Sequence, residues 1–151
     1  MISFDLSEEQ KALRQTAREF AQKEMIPVAA KYDESGEFPW PVFQKGFELG
    51  LLNLGLPTEC GGLGLSNLDI LVVNEELGAG CTGILTSMMV NDLAIKPIVL
   101  AGNEGQKKKW LIPFSEQLQF GSFALTEPGA GSDVAGMSTS VKKAGSDYIL
   151  I

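Results

Sequence analysis

The stretch Leu125-Thr126-Glu127-Pro128-Gly129-Ala130-Gly131-Ser132-Asp133 gathers the residue types that hold an anionic ligand. Its glycines can take positive φ and let backbone approach a ligand closely. Successive amides in such a turn form an anion-binding nest, to which Thr126 and Ser132 add hydroxyl donors. That combination suits a pyrophosphate and a flavin or nucleotide edge, with a plain tight loop as the competing reading of the glycines alone. No helix pattern follows and a third glycine is out of place, so this is not a dinucleotide fingerprint; it also lacks the Gly-Lys-Ser/Thr of a phosphate loop.

Other reactive types are sparse. The chain has no histidine, which removes Ser-His-Asp and Cys-His catalysis and every His-ligated metal or haem site. Glu75 and Glu76 stand side by side, but adjacent helix positions point about 100° apart and cannot share a proton. One is expected in a structural role and the other in solvent. Cys60 lies beside Gly61-Gly62 with no base to activate it and reads as an ordinary thiol. Glu127, before a Pro-Gly turn, reads as a structural acceptor. Asp5, Glu8 and Glu9 suit a helix dipole rather than a metal. Lys107-Lys108-Lys109 reads as a solvated helix face, and Met88-Met89 is either core or pocket wall.

Composition bounds the rest. With 151 residues, 44% hydrophobic and 21% charged, the chain can bury a core. Its net charge of −7 argues against a nucleic-acid partner, whose phosphates require a basic surface. Cys60 and Cys81 form no CxxC pair and fit a reducing compartment. The acidic start, Met1 to Glu9, does not resemble a signal peptide. Asn91, Asp92, Lys96 and Pro97 interrupt the apolar run 83–100, which therefore falls short of a membrane span.

The elements that must position these residues read as helices first. Leu13, Ala17, Phe20 and Ala21 recur at helical spacing behind a Ser7–Gln10 capping box, with Pro27 placed to kink the helix and Ser35-Gly36 to end it. A short helix is expected from Pro41 to Leu49, followed by a loop holding Gly55, Pro57, Gly61, Gly62 and Gly64. Ser66, with Asp69 three residues on, starts a helix apolar nearly all round, the mark of a bundle interior. Thr82 to Ala101 is similar and stops at Gly102; Asn103 to Phe114 gives a more polar helix. After Gln117 the character changes. Phe120 to Leu125 reads as a buried strand, Ala144 to Asp147 as a turn, and Tyr148 to Ile151 as a strand needing neighbours on both faces, so more chain is expected beyond it. The fold class is mainly α, a helical bundle domain at 1–117 followed by the first strands of a β-barrel-like domain at 118–151, α+β overall.

At full length, Leu125 to Asp133 closely resembles the signature of the acyl-CoA dehydrogenase family. Four further segments agree in order: Leu6 to Gln10, Pro57 to Leu65, Glu75 to Leu77 and Gly102 to Trp110. The resemblance covers essentially the whole chain and is nearest to medium- and short-chain members. It implies a flavoenzyme that binds FAD and oxidises the α,β-bond of a fatty acyl-CoA to the trans-2-enoyl-CoA, hydride passing to the flavin. It further implies electron-transfer flavoprotein as acceptor, a homo-oligomeric assembly, and a cytoplasmic or, after loss of a transit peptide, mitochondrial-matrix location. By the same resemblance Phe123, Leu125, Thr126, Gly131 and Ser132 would hold the cofactor. Ser132 would also touch CoA, and Leu85 and Met89 would wall the acyl pocket, where medium-chain relatives tend to be polar. The family's catalytic glutamate belongs to a C-terminal bundle, so no catalytic base is expected among these residues. A truncated, non-catalytic helical interaction module is the alternative.

Overall fold

The computed structural model describes residues 5–151, so the segment Met1 to Phe4 of the acidic N-terminus lies outside the described residues. Helix α1 (Glu8–Phe20) opens on the expected capping box: Ser7 Oγ accepts from Gln10 N, and the Gln10 side chain accepts from Ser7 N. At Pro27, which lacks the amide that an α-ladder requires, the regular helix is interrupted: a π-helical turn, Ala21–Met25, precedes it and the chain continues as α2 (Ile26–Ser35). Gly36, at φ 69°, ends α2 in the left-handed conformation that a Cβ would oppose.

Helix α3 (Trp40–Glu48) leads through the glycine loop, with one 3-10 turn at Thr58–Cys60, into α4 (Asn67–Gly80), capped by Ser66 and Asp69. Helix α5 (Thr82–Ala101) follows, then α6 (Glu104–Leu111) and α7 (Pro113–Glu116), so the single helix expected over 103–114 is split at Pro113. Helices α1 and α4 run side by side in one direction. Gln10 Nε2 donates to Asp69 at 2.9 Å, Arg18 forks onto Glu76 at 2.6 and 2.8 Å, and a Cβ on Gly80 would stand 2.8 Å from that of Ala21.

Two buried clusters hold the helices together. The larger joins Phe20, Met25, Phe43, Val73, Leu77, Ile84, Leu85 and Met88; the smaller joins Leu56, Cys60, Ile95 and Leu111. Helix α4 is not interior all round: Leu68 and Leu71 stay exposed. By length and composition α5 could cross a bilayer, which corrects the expectation that it falls short. In the fold it buries Ile84, Leu85, Met88, Asn91 and Ile95, while Leu93 and Leu100 stay exposed.

Residues 5–117 contain no strand among those described, but the first strand is not where it was expected. Phe120 to Leu125 forms no strand: it is exposed over most of its length, and a strand exists only against a partner, which it lacks among the described residues. The sheet is a hairpin of β1 (Val141–Ala144) and β2 (Asp147–Leu150), antiparallel with Ala144 opposite Asp147. Gly145, at φ 65°, supplies the left-handed residue that its two-residue turn requires.

Candidate functional site

The extended arm, residues 119–126, is fixed at its root by α5. Asn91, 0% exposed, donates through Nδ2 to Gln119 O at 2.8 Å and accepts at Oδ1 from Gly121 N at 2.9 Å. Its amide also donates to Asn53 Oδ1 at 2.8 Å, and Asn53 Nδ2 donates to Phe114 O at 2.8 Å. Between the two backbone bonds, the Phe120 ring packs on Phe38, Trp40 and Phe43 at centroid distances of 5.4, 5.6 and 5.3 Å. Beside it runs an apolar groove of ≈ 320 Å³ lined by Phe38, Trp40, Ser87, Val90 and residues 120–122.

The arm delivers the glycine turn. Glu127 and Ala130 exchange both backbone hydrogen bonds, at 2.9 and 3.1 Å, so Pro128-Gly129 forms a tight reversal. The Glu127 carboxylate then closes the larger loop. It accepts from Ser138 N at 2.8 Å, Ser138 Oγ at 2.9 Å and Thr139 N at 2.8 Å. The Thr139 hydroxyl, the two amides and the Ser138 hydroxyl together hold its pKa at about 2. This is the structural acceptor the sequence indicated, and a carboxylate so held is a poor base.

Gly129 and Gly131 do not take positive φ, contrary to the expected role of these glycines. What they provide is clearance: a Cβ at either would meet nothing within 4 Å. The hydroxyls of Thr126 and Ser132, and the amides of Gly131 and Ser132, bond to no acceptor among the described residues. Four donors on an open turn match the demands of a phosphate-bearing ligand. Phe123 and Leu125 present exposed apolar surface along the same arm, as a ring system would require.

The two wall positions divide. Leu85 is 9% exposed and packs in the larger core, its Cδ2 over Gly78, where a Cβ would come to 3.1 Å. Met89, one turn on, is 39% exposed, while Met88 is core. Glu76 is half-buried on Arg18, whose guanidinium holds its carboxyl below the usual range, and Glu75 faces solvent. Burial pushes the Cys60 thiol up, which keeps it inert. Lys107 pairs with Glu104 at 3.7 Å, and Lys109 lies 4.6 Å from the centroid of the Trp110 ring. Sequence reasoning missed the Asn53–Asn91 pair. Its one local sign is that Asn53 is the only non-glycine residue at positive φ (56°) among those described.

Residues 7–117 match the family model described as the acyl-CoA dehydrogenase N-terminal domain, and the chain belongs to the acyl-CoA dehydrogenase family. It is 44% identical, over 99% of its length, to a probable medium-chain specific acyl-CoA dehydrogenase of Caenorhabditis briggsae, a mitochondrial protein of which it spans 36%. Among solved structures it resembles an electron transferring flavoprotein structure from Acidaminococcus fermentans (TM-score 0.90, 33% identity, 99% of this chain and 40% of that one). It also resembles an acyl-CoA dehydrogenase complexed with FAD from Bacillus anthracis (TM-score 0.87, 32% identity, 99% of this chain and 26% of that one).

Proposed function

We propose that this chain supplies the helical wall, residues 1–117, and the opening of the flavin cradle, residues 118–151, of an FAD-dependent acyl-CoA dehydrogenase. The observation that carries the reading is the open turn at the end of the arm, where the Thr126 and Ser132 hydroxyls and the Gly131 and Ser132 amides have no other acceptor among the described residues. The B. anthracis relative binds FAD, which supports that cofactor here. Bound FAD would supply the hydride acceptor for oxidation of the α,β-bond of a fatty acyl-CoA. Thr126 would donate to the ring edge, and Phe123 and Leu125 would shield the ring from water. Gly131 and Ser132 would donate to the phosphates, Ser132 also touching CoA, and the exposed Met89 would bound the acyl chain, while Leu85 packs in the core behind it.

Glu127, Glu76 and Asp92 are each committed to hydrogen bonds within the fold. The family resemblance puts the α-proton base on a C-terminal bundle, and we assign it on that ground to a residue outside these 151. Electron-transfer flavoprotein is the proposed acceptor. The mitochondrial relative favours the matrix over the cytoplasm as the location.

Amide NMR of the chain under FAD titration tests the cradle. FAD should shift Phe123 to Ser132 saturably and weakly, since four donors barely offset the several kcal/mol lost on association. The double variant Thr126→Val, Ser132→Ala should abolish the shifts. Identical shifts in that variant would sink the assignment of these donors. Acyl-CoA oxidation by the isolated chain would disprove the external base.

A further inference from the structure

The arm that carries every proposed flavin contact leaves the helical body at one place, and a single buried side chain governs that place. Asn91 is on α5, the helix of Leu85 and Met89, and its carboxamide bonds to the backbone on both sides of Phe120. All its hydrogen-bonding capacity but one is used: Nδ2 donates to Gln119 O and Asn53 Oδ1, and Oδ1 accepts from Gly121 N. A donor–acceptor pair aimed at one residue's two flanking peptides fixes the position of that residue along the helix. A hydrophobic contact alone would leave it free to slide. Gly121 completes the fit, because a Cβ there would lie 2.5 Å from that of Ala94, one turn along the same helix.

We propose that Asn91 is a positioning residue: it sets the register of the flavin-bearing arm against the helix that walls the acyl chain. The flavin part of this statement rests on the cradle proposed above. The arm side of the joint is rigid because Asn91 is buried and bonded to backbone on both sides of Phe120, while Asn53 ties Asn91 to the Phe114 segment of the body. Rigidity matters because geometry near the reacting atoms sets the rate of transfer between bound groups.

Three variants of the chain separate positioning from stability. Asn91→Ala removes both bonds to the arm. Gly121→Ala leaves the carboxamide intact and moves the arm off α5 by steric contact with Ala94. Asn53→Gly keeps the left-handed backbone and both Asn91–arm bonds, but loses the brace to Phe114 and the third bond to Asn91. Two readouts are taken: the ring-current shifts of the Phe120 side chain against Trp40, and the FAD titration of Phe123 to Ser132. Asn91→Ala and Gly121→Ala should both collapse the Phe120 shifts and weaken FAD by roughly tenfold, as lost preorganisation predicts. Asn53→Gly should lower the melting temperature while leaving both readouts unchanged. If Asn53→Gly disturbs the arm as much as Asn91→Ala, or if Gly121→Ala leaves FAD affinity intact, the positioning role is overturned. No FAD shift in the unaltered chain would instead overturn the flavin reading, with the Phe120 readout still deciding whether Asn91 sets the register.

Discussion

Leu77 in α4 and Ile149 in β2 have side chains of nearly equal volume, yet one is 0% exposed and the other 53%. The contrast runs through the molecule. Between 8 and 116 helices α1, α3, α4, α5 and α6 each place residues in a shared buried cluster, so backbone hydrogen bonds and apolar burial reinforce one another. From 131 to 151 every residue is exposed, and the hairpin holds its form through register and a left-handed turn residue. A two-stranded hairpin without a covered face is marginal in water. Order in the two regions therefore has different sources. The body is ordered by what it buries, and the hairpin by the geometry of its turn.

Core truncation should break the body first. Leu77→Ala is expected to cost about 2–5 kcal/mol in urea unfolding followed by circular dichroism, while Ile149→Ala should stay within about 0.5 kcal/mol. Equal costs would erase the distinction between the regions. Ser66→Ala removes the oxygen that accepts from Asp69 N at the start of α4, and should cost about 1 kcal/mol in the same assay.

A smaller effect, read as a slope, concerns Asp92, which accepts from Gly55 N at 2.8 Å. Burial pushes its carboxyl above the ordinary value of 3.8, so the folded state keeps the proton to higher pH than the unfolded chain does. Stability from this group is greatest below 3.8 and declines as pH rises through the raised value. Relative to Asp92→Asn, the natural chain should thus lose stability as pH rises from 3.8 through the raised value and hold level above it. A pH-independent difference in melting temperature would show that the carboxyl is not perturbed.

The smallest effect on global stability is expected at Glu127. Glu127→Gln should speed exchange of the Ser138 and Thr139 amides, whose carboxylate acceptor it removes. In the natural chain those two amides should remain protected down to a pH of about 2, where the carboxylate takes up its proton.

The sequence announces what local chemistry decides. Ser7 with Gln10, Ser66 with Asp69, and Gly36 and Gly102 mark helix ends because capping is a matter of residues three or four apart. The strand expected at Phe120 to Leu125 fails for the complementary reason: apolar run length says nothing about whether a partner strand lies alongside. The glycine signature was legible as a tight turn, but its glycines provide clearance rather than handedness. Asn91 stood in the sequence only as a polar interruption of an apolar run. Its partners are 28 to 38 residues away, beyond what spacing can reveal.

The π-helical turn at Ala21–Met25 has a consequence for how this chain tolerates length changes. A π-turn accommodates one residue more than an α-helix over the same span, and each residue of a helix rotates the chain by about 100°. Phe20, Ala21 and Met25 are all buried at this turn. Deleting one residue between 21 and 25 would restore a regular ladder locally and turn the whole of α2 by about a quarter of a circle. Val28, now packed against the core, would leave it. A deletion here is therefore a rotation of everything downstream to Gly36, while point substitutions at the same residues act only where they fall.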